Sequence, residues 1–188
     1  MSASRREQML EAGEKLFLER GYAAVGLREL LEVVGVSKGA FYHFFPTKEA
    51  FAVAVLENHL QARLARLEST LAGDIGLREL LGWLDAEAAA QISNSHVPPC
   101  LVRRMGADLG AGMPAEPVAR ALAAITDTLA EAIKRGQESG GLYRELDARS
   151  AAVHVLDVWH GAADRARVEA KDDALKAARA HVEAWLKP

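Results

Sequence analysis

Between Leu27 and Phe51 the chain reads LRELLEVVGVSKGAFYHFFPTKEAF, and this stretch limits the possible folds more than any other part of the sequence. Leu27, Leu30, Leu31 and Val34 recur at helical spacing and stop at Gly35, a residue that turns the chain at no steric cost. Ser37 then stands where an N-cap is wanted, Lys38 to Phe44 make a second short helix, and Pro46 ends it. Two short helices joined by a glycine-bearing turn of three or four residues make a helix-turn-helix, whose second helix enters the DNA major groove.

The spacing on either side extends this plan into an all-α chain. Residues 4–20 place Met9, Ala12, Gly13, Leu16 and Phe17 at helical intervals, and Gly21 ends the run. Thr47 caps a fourth helix running from about Lys48 toward Leu71. Beyond it, breaks at Gly73-Asp74 with Gly76, Asn94 to Pro99, Gly110 to Pro117 and Gly140-Gly141 separate helices near 75–93, 99–109, 116–138, 147–169 and 171–187. About nine helices result. Half of the residues are hydrophobic but only 6% are aromatic, with Ala and Leu prominent, which suits packed helices rather than sheets. The expected organisation is a three-helix DNA-binding domain over residues 1–47 and a longer helical domain over 48–188, to which the family resemblance given below assigns effector binding and dimerisation.

No apolar run reaches the ~18–20 residues that a bilayer span needs, and the charged N-terminus lacks the apolar stretch of a secretory signal. One cysteine, Cys100, offers no internal disulfide. A cytoplasmic protein with no membrane partner is the expectation. The net charge of −3 argues against bulk electrostatic coating of nucleic acid, and residues 1–50 hold seven Lys/Arg against seven Asp/Glu. DNA binding must therefore rest on where the charges fall.

That placement is favourable. Phe41 and Phe44, with Ala40, are expected on one face against Leu16, Leu30, Val33 and Val34, which leaves Lys38, Tyr42 and His43 outward for phosphate and base-edge contact. Ser37, Lys38 and Gly39 open the recognition helix, where small residues let the backbone approach a phosphate. Thr47 and Lys48 repeat the device at the next helix start. Arg28, with Arg5 and Arg6, completes a basic rim, and Glu11, Glu14, Glu19 and Glu32 are expected to lie away from the groove.

The same run, with Gly21-Tyr22 before it, resembles the N-terminal domain of TetR-type regulators almost without gaps over residues 5–55. The resemblance implies a dimeric repressor with a ligand-binding C-terminal domain, whose inducer changes the separation of two readers. It carries DNA contact onto Ser37, Lys38, Gly39, Tyr42, His43 and Lys48, with Arg28 and Thr47 as phosphate partners. Leu27 departs from the pattern, since many members have Thr or Ser there.

Residues 73–188 contain no nucleophile-base-acid spacing, no glycine-rich phosphate loop and no H-E-x-x-H, so neither an enzyme, a cofactor nor a metal site is expected. His154 and His160, six apart, do not share a helical face. Cys100 stands out because Pro98-Pro99 should start a helix, placing its sulfur in a first turn with Arg103 and Arg104 at i+3 and i+4. Two readings stand: a reactive thiolate, or an inert thiol packed as a small hydrophobe. The segment PPCLVRRMGADLGAGMPAEPVAR resembles the branch of TetR repressors that sense N-ethylmaleimide and related electrophiles, in which the matching cysteine is the sensor. A lysine of that branch lies where this chain has Arg167, which implies a different covalent partnership.

For a non-covalent effector, Trp83, Leu84, Met105, Leu122 and Trp159 are the candidate lining. Ala151, Ala152, Val155, Leu156 and Trp159, then Leu175, Ala178, Val182 and Trp185, suit a homodimer built through the last two helices, and two-fold readers need a near-palindromic operator. The competing function is a helical ligand-binding or scaffold protein without DNA-binding activity.

Overall fold

The computed structural model describes residues 4–73, 75–93 and 100–188, with no side-chain account for 90–93. Over these the chain is all-α: α1 (Arg5–Arg20), α2 (Leu27–Val34), α3 (Lys38–Phe44), α4 (Lys48–Thr70), α5 (Leu77–Ser93), α6 (Leu101–Gly106), α7 (Ala115–Glu138), α8 (Ala148–Glu169) and α9 (Asp173–Leu186). The nine helices agree with the glycine and proline punctuation. Asp74, the 94–99 break and the Pro98-Pro99 helix start lie outside the described residues. No helix among those described is long and apolar enough to cross a membrane.

Local chemistry explains the boundaries. Ser4 and Glu7 close a capping box on α1, each side chain bonding the other's backbone N–H, which satisfies two donors the first turn leaves open. Gly35 ends α2 at φ 67°, in the left-handed region, and its N–H returns to the Leu31 carbonyl. Asp147 caps α8 by accepting the Ser150 N–H at 2.8 Å.

The helices group into two compact units. One comprises residues 1–62 with Cys100–Leu122, so α6 and the first turns of α7 belong with the helix-turn-helix and the start of α4. Its core is aromatic. Phe51 is wholly buried with ring centroids 5.9, 5.3 and 4.9 Å from those of Phe17, Phe41 and Phe45.

The second unit comprises residues 63–99 and 123–188. In it α9 packs on α8 and α5, with Leu175, Ala178, Val182 and Leu186 buried. Nε2 of Gln137, a buried residue, donates to the carbonyls of Tyr143 and Leu146, which holds the α7–α8 connection. His154 and His181 join α8 to α9 through their Nε2 atoms, 3.1 Å apart.

Candidate nucleic-acid interface and thiol site

Capping fixes the start of both helices that frame the reader. Ser37 Oγ accepts the Ala40 N–H at 3.2 Å, and Thr47 Oγ1 accepts the Ala50 N–H at 3.0 Å. From this frame α3 shows Lys38, Gly39, Tyr42 and His43 to solvent, as the residue pattern anticipates, with Ser37 exposed beside them. The inner face differs from expectation. Phe44 is 38% exposed and Val33 48%, whereas Phe45 is buried at 3% and takes the inward place beside Phe41. The reason lies in the backbone: α3 ends at Phe44 and Phe45 is extended (φ −135°, ψ 113°), so its side chain leaves the helical phase and turns into the core. Ala40 is exposed as well. Phe44 therefore joins His43, with ring centroids 5.3 Å apart, on the outer surface.

The cations of this surface are held to different degrees. Lys38 lies 6.0 Å over the Tyr42 ring. Arg28 has a 94% exposed side chain and a 3.5 Å pair with Glu32, a surface contact of little energetic weight. Arg5 donates to the Gly35 carbonyl at 2.6 Å, and Arg6 lies over the Phe45 ring.

Lys48 is more constrained than a solvated cation at a helix start. Its Nζ donates to the Tyr22 carbonyl at 2.8 Å and stands 4.1 Å over the Tyr22 ring. Burial lowers its pKa, against the opposing charges of Glu49 and Asp108. Burial also pushes the Tyr22 hydroxyl up to about 12, aided by the charge of Glu49 and by the hydrogen bond to its carboxylate.

The α1–α2 turn is gripped from the end of α6. Asp108 Oδ2 accepts the Tyr22 N–H at 2.8 Å and the Ala23 N–H at 3.4 Å. Gly21, at φ 80°, sits so close beneath that a Cβ there would stand 2.5 Å from an Arg104 guanidinium nitrogen and 3.0 Å from Asp108 Oδ2. The backbone conformation is what favours glycine here, since the Arg104 guanidinium ends a flexible side chain that can move aside.

The structure revises the surroundings of Cys100. The residue is the extended N-cap of α6 (φ −145°, ψ 117°), not a member of its first turn, and α6 has only six residues. Cys100 thus precedes the first turn rather than lying within it. Arg104 reaches toward Gly21, and Arg103 is exposed.

The sequence reading missed His59, a buried histidine of α4. Cys100 is 1% exposed and His59 8%. His59 Nδ1 lies 2.9 Å from Glu14 Oε1. Burial works against the imidazolium, but hydrogen bonds to Cys100 and Glu14, together with their charges, outweigh it and hold the His59 pKa up at about 9. A signal for His59 existed: it continues the buried stripe of Phe51, Ala52, Val55 and Leu56 along α4, and a histidine on an apolar stripe needs a polar partner.

Of the other effector candidates, Trp83, Leu84 and Trp159 are buried in the second unit, Met105 is buried in the first, and Leu122 is 43% exposed. A cavity of about 520 Å³ in the second unit is lined by others, including Leu67, Leu71, Ala132 and Arg135. Arg167 is exposed at the end of α8.

A capped recognition helix with a polar, cationic outer face defines a helix-turn-helix DNA-binding protein. Residues 9–55 match the family profile of bacterial regulatory proteins of the tetR family. The chain is 33% identical to the HTH-type transcriptional repressor NemR of Escherichia coli K12, over 94% of this chain and 91% of that protein. It is 32% identical to the transcriptional regulator AcuR of Cereibacter sphaeroides, over 90% of this chain and 79% of that one. The crystal structure of E. coli NemR in its reduced form aligns with a TM-score of 0.88 and 30% identity, covering 98% of each chain. The chain belongs to the TetR family: it is a DNA-binding transcriptional regulator and not an enzyme. Regulators of this family bind operator DNA and small-molecule effectors and act as dimers.

Proposed function

We propose that the protein is a cytoplasmic homodimeric repressor that releases a near-palindromic operator when Cys100 reacts with an electrophile. Residues 1–47 form the reader and 48–188 the effector and dimerisation part, joined to its copy through α8 and α9. On the operator side, Lys38, Tyr42 and His43 contact base edges. Ser37, Gly39, Thr47, Lys48 and Arg28 hold the phosphates.

The observation that carries the proposal is the position of Cys100. It stands buried at the head of α6, the helix that packs on α1, while Asp108 beyond α6 holds the α1–α2 turn. A covalent change at the thiol therefore falls within the compact unit that contains the reader. To act as an inducer, the reaction must favour the non-binding conformation, with a coupling of about 1–3 kcal/mol or more. For an inducer held without a covalent bond, Trp83, Met105 and Trp159 are the proposed contacts.

The test is release of operator DNA by N-ethylmaleimide, using DNA immediately upstream of the protein's own gene. Wild type is expected to dissociate and Cys100→Ser to stay bound. Equal release of the two overturns the sensor assignment.

A further inference from the structure

We propose that His154 of α8 and His181 of α9 form a two-histidine site for a divalent transition-metal ion that favours imidazole, represented by zinc, and that the bound ion clips the two helices together. The proposal is independent of Cys100 and uses no residue of the DNA face. The sequence spacing sets His154 against His160, six positions on, with no shared helical face. The fold brings His154 to His181 instead, 27 positions away.

The spacing of the rings is that of a chelate. Their Nε2 atoms face each other at 3.1 Å, with centroids 5.4 Å apart and planes inclined at 55°. Two imidazoles on one tetrahedral zinc, at Zn–N distances of about 2.0–2.1 Å, place their Nε2 atoms about 3.3 Å and their centroids about 5.2 Å apart. Tilting the rings, with little displacement of either, turns both lone pairs onto one ion, and each ring then carries its proton on Nδ1. Trp185, one turn beyond His181 on α9, lays its ring 4.3 Å from that of His154 and braces the α8 member. Neither histidine is buried in the chain: His181 is exposed and His154 half-buried, so an ion can reach the nitrogens.

Stability does not account for the pair, because a neutral N–H···N contact at a surface competes with water and contributes little. What two converging imidazole nitrogens can do is share a cation. Among the described residues no third histidine, cysteine or carboxylate enlarges the cluster. The chain therefore supplies two of the four ligands that zinc takes, and water fills the rest. Imidazole suits zinc, copper and nickel, whereas magnesium and calcium take oxygen ligands, so the site separates the two classes of ion. When the ion binds, one weak contact between α8 and α9 gives way to two coordination bonds to a single cation. These helices already pack on each other, and they are the pair through which two copies are proposed to join, so the clip stiffens that part of the chain.

The test is calorimetric titration of the full-length protein with zinc, and with magnesium for comparison, at a pH just above neutral. Wild type is expected to bind zinc and not magnesium, and His154→Gln and His181→Gln are each expected to bind zinc at least about tenfold more weakly. At 100 times the wild-type dissociation constant, zinc is expected to raise the thermal midpoint of wild type by about 5 °C or more, and that of either variant by about half as much or less. Should a variant not fold, nitrogen-15 NMR of the wild-type histidines decides: zinc is expected to shift the Nε2 resonances of His154 and His181 together. No zinc uptake by wild type, uptake that both variants keep in full, equal uptake of magnesium, or shifts confined to other histidines overturns the site.

Discussion

Gly39→Ala is expected to strengthen the fold and weaken operator binding together. Gly39 is the second residue of α3, a Cβ built there meets nothing within 4 Å, and its φ lies outside the left-handed region. Nothing inside the chain requires a glycine. Glycine costs a helix about 1 kcal/mol relative to alanine, so the substitution should stabilise the protein by about 0.5–1 kcal/mol and raise its thermal midpoint by about 1–4 °C. If backbone approach to DNA is what Gly39 provides, a methyl group there keeps the phosphate away, and a tenfold loss of affinity, about 1.4 kcal/mol, is the expected scale. Urea unfolding and fluorescence anisotropy with labelled operator measure the two effects on one preparation.

Gly13→Ala supplies the contrast. Its Cβ would lie 2.4 Å from Phe51 Cζ, against a ring that Phe17, Phe41 and Phe45 hold in place. Overpacking of about 1–3 kcal/mol outweighs the helix gain of about 1 kcal/mol. That variant should lose stability and operator binding alike. Unchanged or tighter operator binding by Gly39→Ala would refute the reasoning about the DNA face.

Three further outcomes are expected. Lys38→Ala and His43→Ala should alter operator sequence preference, whereas Lys48→Ala should weaken all sequences and lower the salt slope by about 1; unchanged binding in all three at ~0.15 M salt contradicts this face. Asp108→Ala strips the acceptor from the Tyr22 and Ala23 N–H groups, with a stability loss of about 2 kcal/mol. At equal extents of Cys100 alkylation it should release less operator than wild type, and full release removes Asp108 from the coupling. His59 titrates at about 9 when folded against about 6.5 unfolded, so its stabilising contribution is complete below about pH 6.5 and is lost as pH rises through about 9. Urea midpoints of wild type should therefore drop more than those of His59→Gln over that window, and parallel curves would contradict the assignment.

Helix number and the outward set Lys38, Tyr42 and His43 were legible because glycine, proline and 3.6-residue spacing act locally. Phe44 and Phe45 were not. Extrapolating a helical phase one residue past its end misplaces a side chain whose backbone is extended, as Phe45 shows. Cys100 illustrates the same limit at a helix start, where an N-cap residue does not project as a first-turn residue does. His59 and Glu14 stand 45 positions apart, and no local pattern pairs them. The stripe along α4 marks His59 as inward, but only the packing of α1 and α4 brings Glu14 to its ring.

The central claim is that the state of one thiol sets the state of the reader. Operator-bound protein titrated with N-ethylmaleimide tests it when both quantities are read on the same samples: the fraction of Cys100 alkylated, by mass spectrometry, and the fraction of operator released, by anisotropy. The two fractions are expected to rise together to completion. Complete alkylation of Cys100 with the operator still bound would contradict the account.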